Sequence, residues 1–154
     1  MARAPFQVLV FPYRLTPAGS CEYAIFFRRS PRYGGFWQGI AGGGEDEETP
    51  LQAAKRESWE EGKLSPETPF LQLDSTATIP ALQAAGMLWG PDVLVIPEYA
   101  FGADAQGQEI VLSSEHLEFR WVDYETAQSL LKFDSNRNAL WELDYRLTRE
   151  SKEI

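Results

Sequence analysis

The chain has 154 residues, 44% hydrophobic and 13% aromatic, enough to bury one core, so residues 1–154 are expected to form a single domain. Its formal net charge of −9 excludes a binder of nucleic acid polymers, whose affinity comes mainly from Lys and Arg displacing condensed counterions; a small anionic substrate stays open if a divalent cation accompanies it. Cys21 stands alone, which excludes a disulfide framework and a cysteine metal site, and no apolar run reaches signal-peptide or membrane-span length, so a cytoplasmic protein with no membrane partner is expected.

In chain order, residues 6–13 (FQVLVFPY) and 22–28 (EYAIFFR) are short and rich in aromatic and β-branched side chains, with TPAGS turn chemistry between them. Both predict strands. Residues 36–40 predict another. A helix is expected over 49–61, because Thr49 suits the N-cap, Pro50 the first helical position, and Gln52 completes a capping box with Thr49. Gly62 is expected to end it. Strands are predicted over 70–79, 92–101 and 118–122, with 81–91 as an insertion. Helices are predicted over 124–131 and 136–149, the last capped by Asp134 or Ser135. This order lacks regular βαβ alternation and implies an α+β fold.

The stretch GGGEDEETPLQAAKRESWEEGKL (42–64) concentrates Glu45, Asp46, Glu47, Glu48, Glu57, Glu60 and Glu61. On the predicted helix Glu57, Glu60 and Glu61 fall at i, i+3 and i+4, so their carboxylates share one face and repel. They also lie in the last turns, where the helix dipole disfavours anions. A hard divalent cation reverses both effects, since Mg²⁺ takes oxygen ligands from carboxylates, waters and substrate phosphates. Gly42, Gly43 and Gly44 would let the backbone approach the ion or its phosphate closely. A solvated acidic helix behind a glycine turn is the plain alternative.

The intervals resemble the signature of the Nudix hydrolases, G-x5-E-x7-R-E-U-x-E-E-x-G-U with U bulky and apolar: Gly42, Glu48, Arg56, Glu57, Glu60, Glu61 and Leu64 match. Ser58 stands where a bulky apolar residue is usual, and the late glycine position is Lys63, with Gly62 one place early. The resemblance implies an α/β/α sandwich with a mixed β-sheet between helices, and cleavage of diphosphate linkages with Mg²⁺ or Mn²⁺. It makes Glu57, Glu60 and Glu61 metal ligands and Glu57 a candidate base. Glu48 would support the metal shell through water, and Arg56 would orient a glutamate by a salt bridge.

A narrower likeness lies in FWQGIAGGGE (36–45), SSEHLEFRWVD (113–123) and FDSNRNAL (133–140), which resemble the bacterial dihydroneopterin triphosphate pyrophosphohydrolase branch of that family. It implies that Glu115 reaches the metal site as ligand or base, and Trp37, Gln38, Gly42 and Gly43 are expected to meet substrate; His116, the only histidine, reads as a substrate contact or a helix cap, and Glu115-His116 also reads as an ordinary polar loop. Trp121 reads as a core aromatic. For the substrate, Trp37, Phe36 and Tyr99 offer aromatic faces to a planar ring, and Arg28, Arg29 and Arg32 offer charge to a triphosphate; each also reads as an ordinary core or surface side chain. The expected activity is hydrolysis of a pterin or nucleoside triphosphate to monophosphate and pyrophosphate, by a monomer or homodimer. A dinucleoside polyphosphate hydrolase and a non-catalytic Nudix-fold binding module remain as alternatives, the second disfavoured by the three retained carboxylates.

Overall fold

The computed structural model describes residues 2–116 and 118–152; Leu117, inside the quoted SSEHLEFRWVD stretch, lies outside them. Along the chain these residues form β1 (Arg3–Leu15), β2 (Cys21–Ser30), β3 (Gly34–Gln38), β4 (Ile40–Glu45), α1 (Pro50–Gly62), β5 (Phe70–Pro80), α2 (Ala81–Ala85), β6 (Val95–Asp104), β7 (Glu118–Val122), α3 (Tyr124–Leu130) and α4 (Asp134–Lys152).

The sheet is built around β1, which is apolar on both faces as a doubly covered strand must be. Val8 and Val10 face a core shared with Phe26, Ile40 and Phe101 and with Ala53, Ala54 and Leu64 at α1. Leu9 and Phe11 face the opposite core, with Ile25, Ala100, Ala127 of α3 and Ala139, Leu140 and Leu143 of α4. β1 pairs parallel with β6 and antiparallel with β4 and β2; β5 adds to β6, while β3 and β7 add to β2. A mixed sheet therefore lies between helices, and the expected α+β architecture holds.

The largest departure concerns the glycine run. Gly42, Gly43 and Gly44 are not a turn but part of β4, with Gly43 opposite Gln7 and Gly42 opposite Val8 on β1. The predicted strand over 36–40 is two strands: β3 pairs with β2 and β4 with β1, and the chain changes partner at Gly39. A Cβ on Gly39 would meet the Val10 carbonyl oxygen at 2.8 Å and Leu9 Cδ1 at 2.9 Å, and its N–H donates to Asn136 Oδ1 at 2.9 Å. β1 outruns its predicted ends because Arg3 finds a partner in Glu45 and Leu15 in Cys21. β6 starts at Val95 rather than at residue 92, since Pro91 and Asp92 are spent in a turn. The segment after β5 holds the short helix α2, and α4 starts at Asp134, two residues early.

Candidate active site

Helix α1 starts as its sequence dictates: Thr49 Oγ1 accepts from the Gln52 N–H at 3.2 Å, and Gln52 Oε1 accepts from the Thr49 N–H at 2.9 Å. This reciprocal pair fixes the helix phase. Ala53 and Ala54 are thereby turned to the sheet, and Arg56, Glu57, Glu60 and Glu61 to the side of β4.

Arg56 ties the stretch together. Its Nε and Nη2 donate to the two oxygens of Glu48 at 2.8 and 3.0 Å, Nη2 also donates to the Gly43 carbonyl at 2.7 Å, and Nη1 donates to Glu57 Oε1 at 3.0 Å and Glu60 Oε2 at 3.2 Å. A planar fork of donors suits such bidentate pairing. Glu48 is held by this fork and by the Glu45 N–H at 2.8 Å, which lowers its carboxyl pKa, the Arg56 hydrogen bond being the main cause.

Glu57 lies against bare strand. A Cβ on Gly42 would fall within its carboxyl group, and one on Gly43 within the guanidinium of Arg3. The glycines are required by this close approach rather than by any unusual backbone angle. Burial pushes the Glu57 carboxyl up to about 7, with the Glu60 and Glu61 charges adding to it and Arg56 opposing.

The loop before β7 docks on the end of α1. Ser113 Oγ donates to Glu61 Oε2 at 2.7 Å and the Ser113 N–H to the Glu61 carbonyl at 3.3 Å. This docking brings Glu115 into the same cavity as Glu57, Glu60 and Glu61. Burial raises the Glu61 carboxyl and the neighbouring Glu115 adds to it, against the Ser113 hydrogen bond. His116 is 5% exposed, packs its ring on Phe26 at 5.3 Å and sets Nδ1 2.9 Å from Glu61 Oε2. Burial, then the Arg28 charge, push its pKa down.

These groups line a cavity of about 400 Å³ whose other wall is Arg3, Gln7, Arg28 and Gln38. Arg3 Nε, Arg28 Nε and Gln38 Nε2 are buried donors without a partner among the described residues. Buried donors are rarely left so, and these three share the cavity with five carboxylates, Glu45, Glu57, Glu60, Glu61 and Glu115.

Of the residues singled out in the sequence, Glu57, Glu60, Glu61, Glu115, Arg56, Arg28, Gln38, Gly42 and Gly43 line this cavity. Glu48 does not, standing behind Arg56. Trp37 does not either: it is buried in the α3/α4 core, with Phe27 at 5.1 Å and the Arg120 guanidinium over its ring at 4.9 Å. Strand alternation explains this correction, because Gln38 and Trp37 must point to opposite faces. Tyr99 packs on Phe6 and Phe36 on Tyr33 and Phe133, while Arg29 and Arg32 are exposed. Trp121 is a half-buried core aromatic, as read, with Arg14 at 4.2 Å from its ring. Arg3 and Gln7 went unnoticed in the sequence, although Gln7 is a polar residue inside an apolar strand.

The NUDIX domain matches residues 13–143. The chain belongs to the Nudix family. A dihydroneopterin triphosphate diphosphatase of Haemophilus influenzae is 28% identical to this Nudix chain over 117 residues, 74% of each protein. The crystal structure of a Nudix hydrolase from Listeria monocytogenes is similar at 42% identity and a TM-score of 0.84, covering 96% of this chain and 97% of that one. The dihydroneopterin triphosphate pyrophosphohydrolase of Escherichia coli is similar at 26% identity and a TM-score of 0.75, covering 95% and 99%. This Nudix hydrolase is thus an enzyme acting on diphosphate bonds.

Nudix hydrolases generally use divalent metals such as Mg²⁺, and the donors here fit one in kind: five carboxylates on one cavity are hard oxygen ligands. Among the described residues no three acidic, histidine or cysteine side chains already converge on one point. Arg56 Nη1 donates to oxygens of Glu57 and Glu60, and Ser113 Oγ to an oxygen of Glu61.

Proposed function

We propose that this protein is a metal-dependent pyrophosphohydrolase that converts a pterin or nucleoside triphosphate to its monophosphate and pyrophosphate. The observation that carries this reading is the pairing, across one cavity, of three orphaned buried donors with five carboxylates. The likeness to dihydroneopterin triphosphate diphosphatases supports the substrate class.

Mg²⁺, with Mn²⁺ as a substitute, would be held by Glu57, Glu60, Glu61 and Glu115 and would supply neutralisation of phosphate charge and a more acidic water. Arg3, Arg28 and Gln38 bind the phosphate oxygens that the carboxylates would repel. Arg56 holds Glu57 in place and keeps the Gly43 carbonyl fixed. Glu57 and Glu115 are the candidate bases, since both reach the cavity and a base needs hydrogen-bond reach before a suitable pKa.

A panel of pterin and nucleoside triphosphates and a dinucleoside tetraphosphate, assayed with Mg²⁺ and with chelator, tests the reading. Mg²⁺-dependent release of pyrophosphate from a triphosphate is expected. Release of mononucleotides from the dinucleotide alone would replace it with the dinucleoside polyphosphate reading, and ligand binding without turnover would replace it with a binding module.

A further inference from the structure

One buried carboxylate on this sheet takes no part in the signature cluster. Glu98 of β6 is 5% exposed, and its Oε2 accepts from Gln7 Nε2 at 2.8 Å. Burial pushes its carboxyl up, and hydrogen bonds from Gln7 and Ser135 bring it only part of the way back. A carboxylate has lone pairs for about four hydrogen bonds, so acceptor capacity is left over.

Its position is set by register. Gly43 pairs with Gln7, Gln7 with Glu98, and Glu98 with Ala77, forming one row across β4, β1, β6 and β5. Two strand spacings, about 10 Å, separate the glycine at the phosphate end from Glu98. That is the kind of reach a ribose or a three-carbon chain gives between a phosphate and the far edge of a ring. Gln7 lines the phosphate cavity, and Glu98 lines a second one of about 110 Å³ on the α4 side, together with Thr76, Ala77, Ala100, Ser135 and Ala139. The Gln7–Glu98 hydrogen bond is the partition between them. Leu9, Ser75 and Asn138 complete its lining, and its three alanines keep side-chain bulk away from the space beside Glu98.

We propose that Glu98 reads the ring of the substrate, accepting two parallel N–H hydrogen bonds from a 2-amino-4-oxopyrimidine edge, the edge that pterins and guanines share. Adenine and cytosine rings do not present two adjacent donors of this kind, and hypoxanthine lacks the amino group. The assignment rests on the triphosphate reading above and narrows its substrate to one ring class.

Two measurements test it. Wild-type protein should hydrolyse GTP with kcat/KM about 10- to 100-fold above ITP and ATP, the range expected of hydrogen bonds to a charged group, and metal-free calorimetry should show GMP binding more tightly than IMP or AMP. Glu98→Gln keeps the shape but replaces one acceptor by a donor. It should erase the preference for GTP over ITP and ATP, chiefly through KM. Ala77→Leu, which fills the second cavity from the strand residue opposite Glu98, should erase it too, and melting curves report whether each variant is folded. A preference retained in Glu98→Gln, equal losses on all triphosphates, or no preference in wild type would overturn the inference while leaving the hydrolase intact. If no triphosphate is hydrolysed, the functional reading fails by itself, and the GMP, IMP and AMP affinities of wild type still decide whether a ring site exists.

Discussion

Gly42 and Glu57 share one volume: the space that a side chain on the strand residue would need is filled by the carboxyl group of the helix residue. Gly42→Ala should therefore displace Glu57 from the cavity. A shift of about 1 Å in a reacting group can cost on the order of 100-fold in rate, so kcat should fall by about that much with the fold retained. Gly62→Ala is the control, because its Cβ would meet Ile110 Cγ2 at 3.6 Å and Ile40 Cδ1 at 3.7 Å in ordinary contact. Equal activity in the two variants would remove Glu57 from the chemistry.

Glu60 separates catalysis from folding better than Glu61. Its side chain is 48% exposed and paired only with Arg56 among the ion pairs of the described residues, a contact worth about 0–1 kcal/mol. Glu60→Gln should leave the melting temperature of the metal-free protein nearly unchanged while turnover drops by about 100-fold or more. Wild type should melt higher with Mg²⁺, by about 2.7 kcal/mol at one hundred times the dissociation constant, and the variant should lose much of that gain. Near-normal turnover in Glu60→Gln would contradict its place among the metal ligands.

Lys63 sits at φ 58° and ψ 31°, the left-handed position that closes α1. A non-glycine residue there costs about 1–2 kcal/mol, and glycine is the usual occupant. The ammonium lies 4.9 Å from the Trp59 ring, an exposed contact worth about 0.5–1 kcal/mol. Lys63→Gly should therefore raise the stability slightly, and the melting temperature by about 2–4 °C per kcal/mol gained. A lower melting temperature would show that the Trp59 contact outweighs the backbone strain.

Ser58 is buried and its hydroxyl has no hydrogen-bond partner among the described residues. Removing an unsatisfied polar group relieves a cost of about 1–3 kcal/mol, so Ser58→Ala should hold or raise stability in a denaturant titration. Destabilisation beyond about 1 kcal/mol would mean that the hydroxyl is satisfied in solution.

Acid stability should depend on Glu142, far from the cavity. Burial alone would raise its carboxyl, but hydrogen bonds from Ser75 Oγ at 2.6 Å, the Asp74 N–H at 2.8 Å and Arg146 Nε at 2.7 Å outweigh it and hold it to about 2. In the unfolded chain it titrates near 4.5. The folded state thus binds fewer protons in this window, and the stabilisation is complete above pH 4.5 and lost as pH falls towards 2. Glu142→Gln should lower stability at neutral pH and flatten its fall in that window; an unchanged acid profile would show that other carboxylates control it.

What the sequence disclosed, and what it withheld, follows interaction range. The capping box and the spacing of Glu57, Glu60 and Glu61 are local, and α1 could be placed before any pairing was known. Glycines 42–44 read as a turn because nothing local says that Glu57, Arg3 and Phe6 fill the space beside them. Arg3 and Gln7 reach the cavity only through the register of β1 with β4, and Glu98 is put in Gln7's row by a parallel pairing across most of the chain. The available sign was a polar residue inside an apolar strand: Gln7 in FQVLVFPY and Glu98 in VIPEYAF. Trp37 was misplaced because composition does not reveal which face a strand residue takes.

The only partner strand of β4 among the described pairings is β1, so its other edge has no strand beside it there. A run of three glycines on such an edge is an open template for another chain's strand. Arg56 covers it by donating to the Gly43 carbonyl at 2.7 Å. The same guanidinium that holds the glutamates thus also occupies a carbonyl of this edge. Arg56→Ala should be seen first by light scattering, as concentration-dependent self-association, before its loss of activity is interpreted.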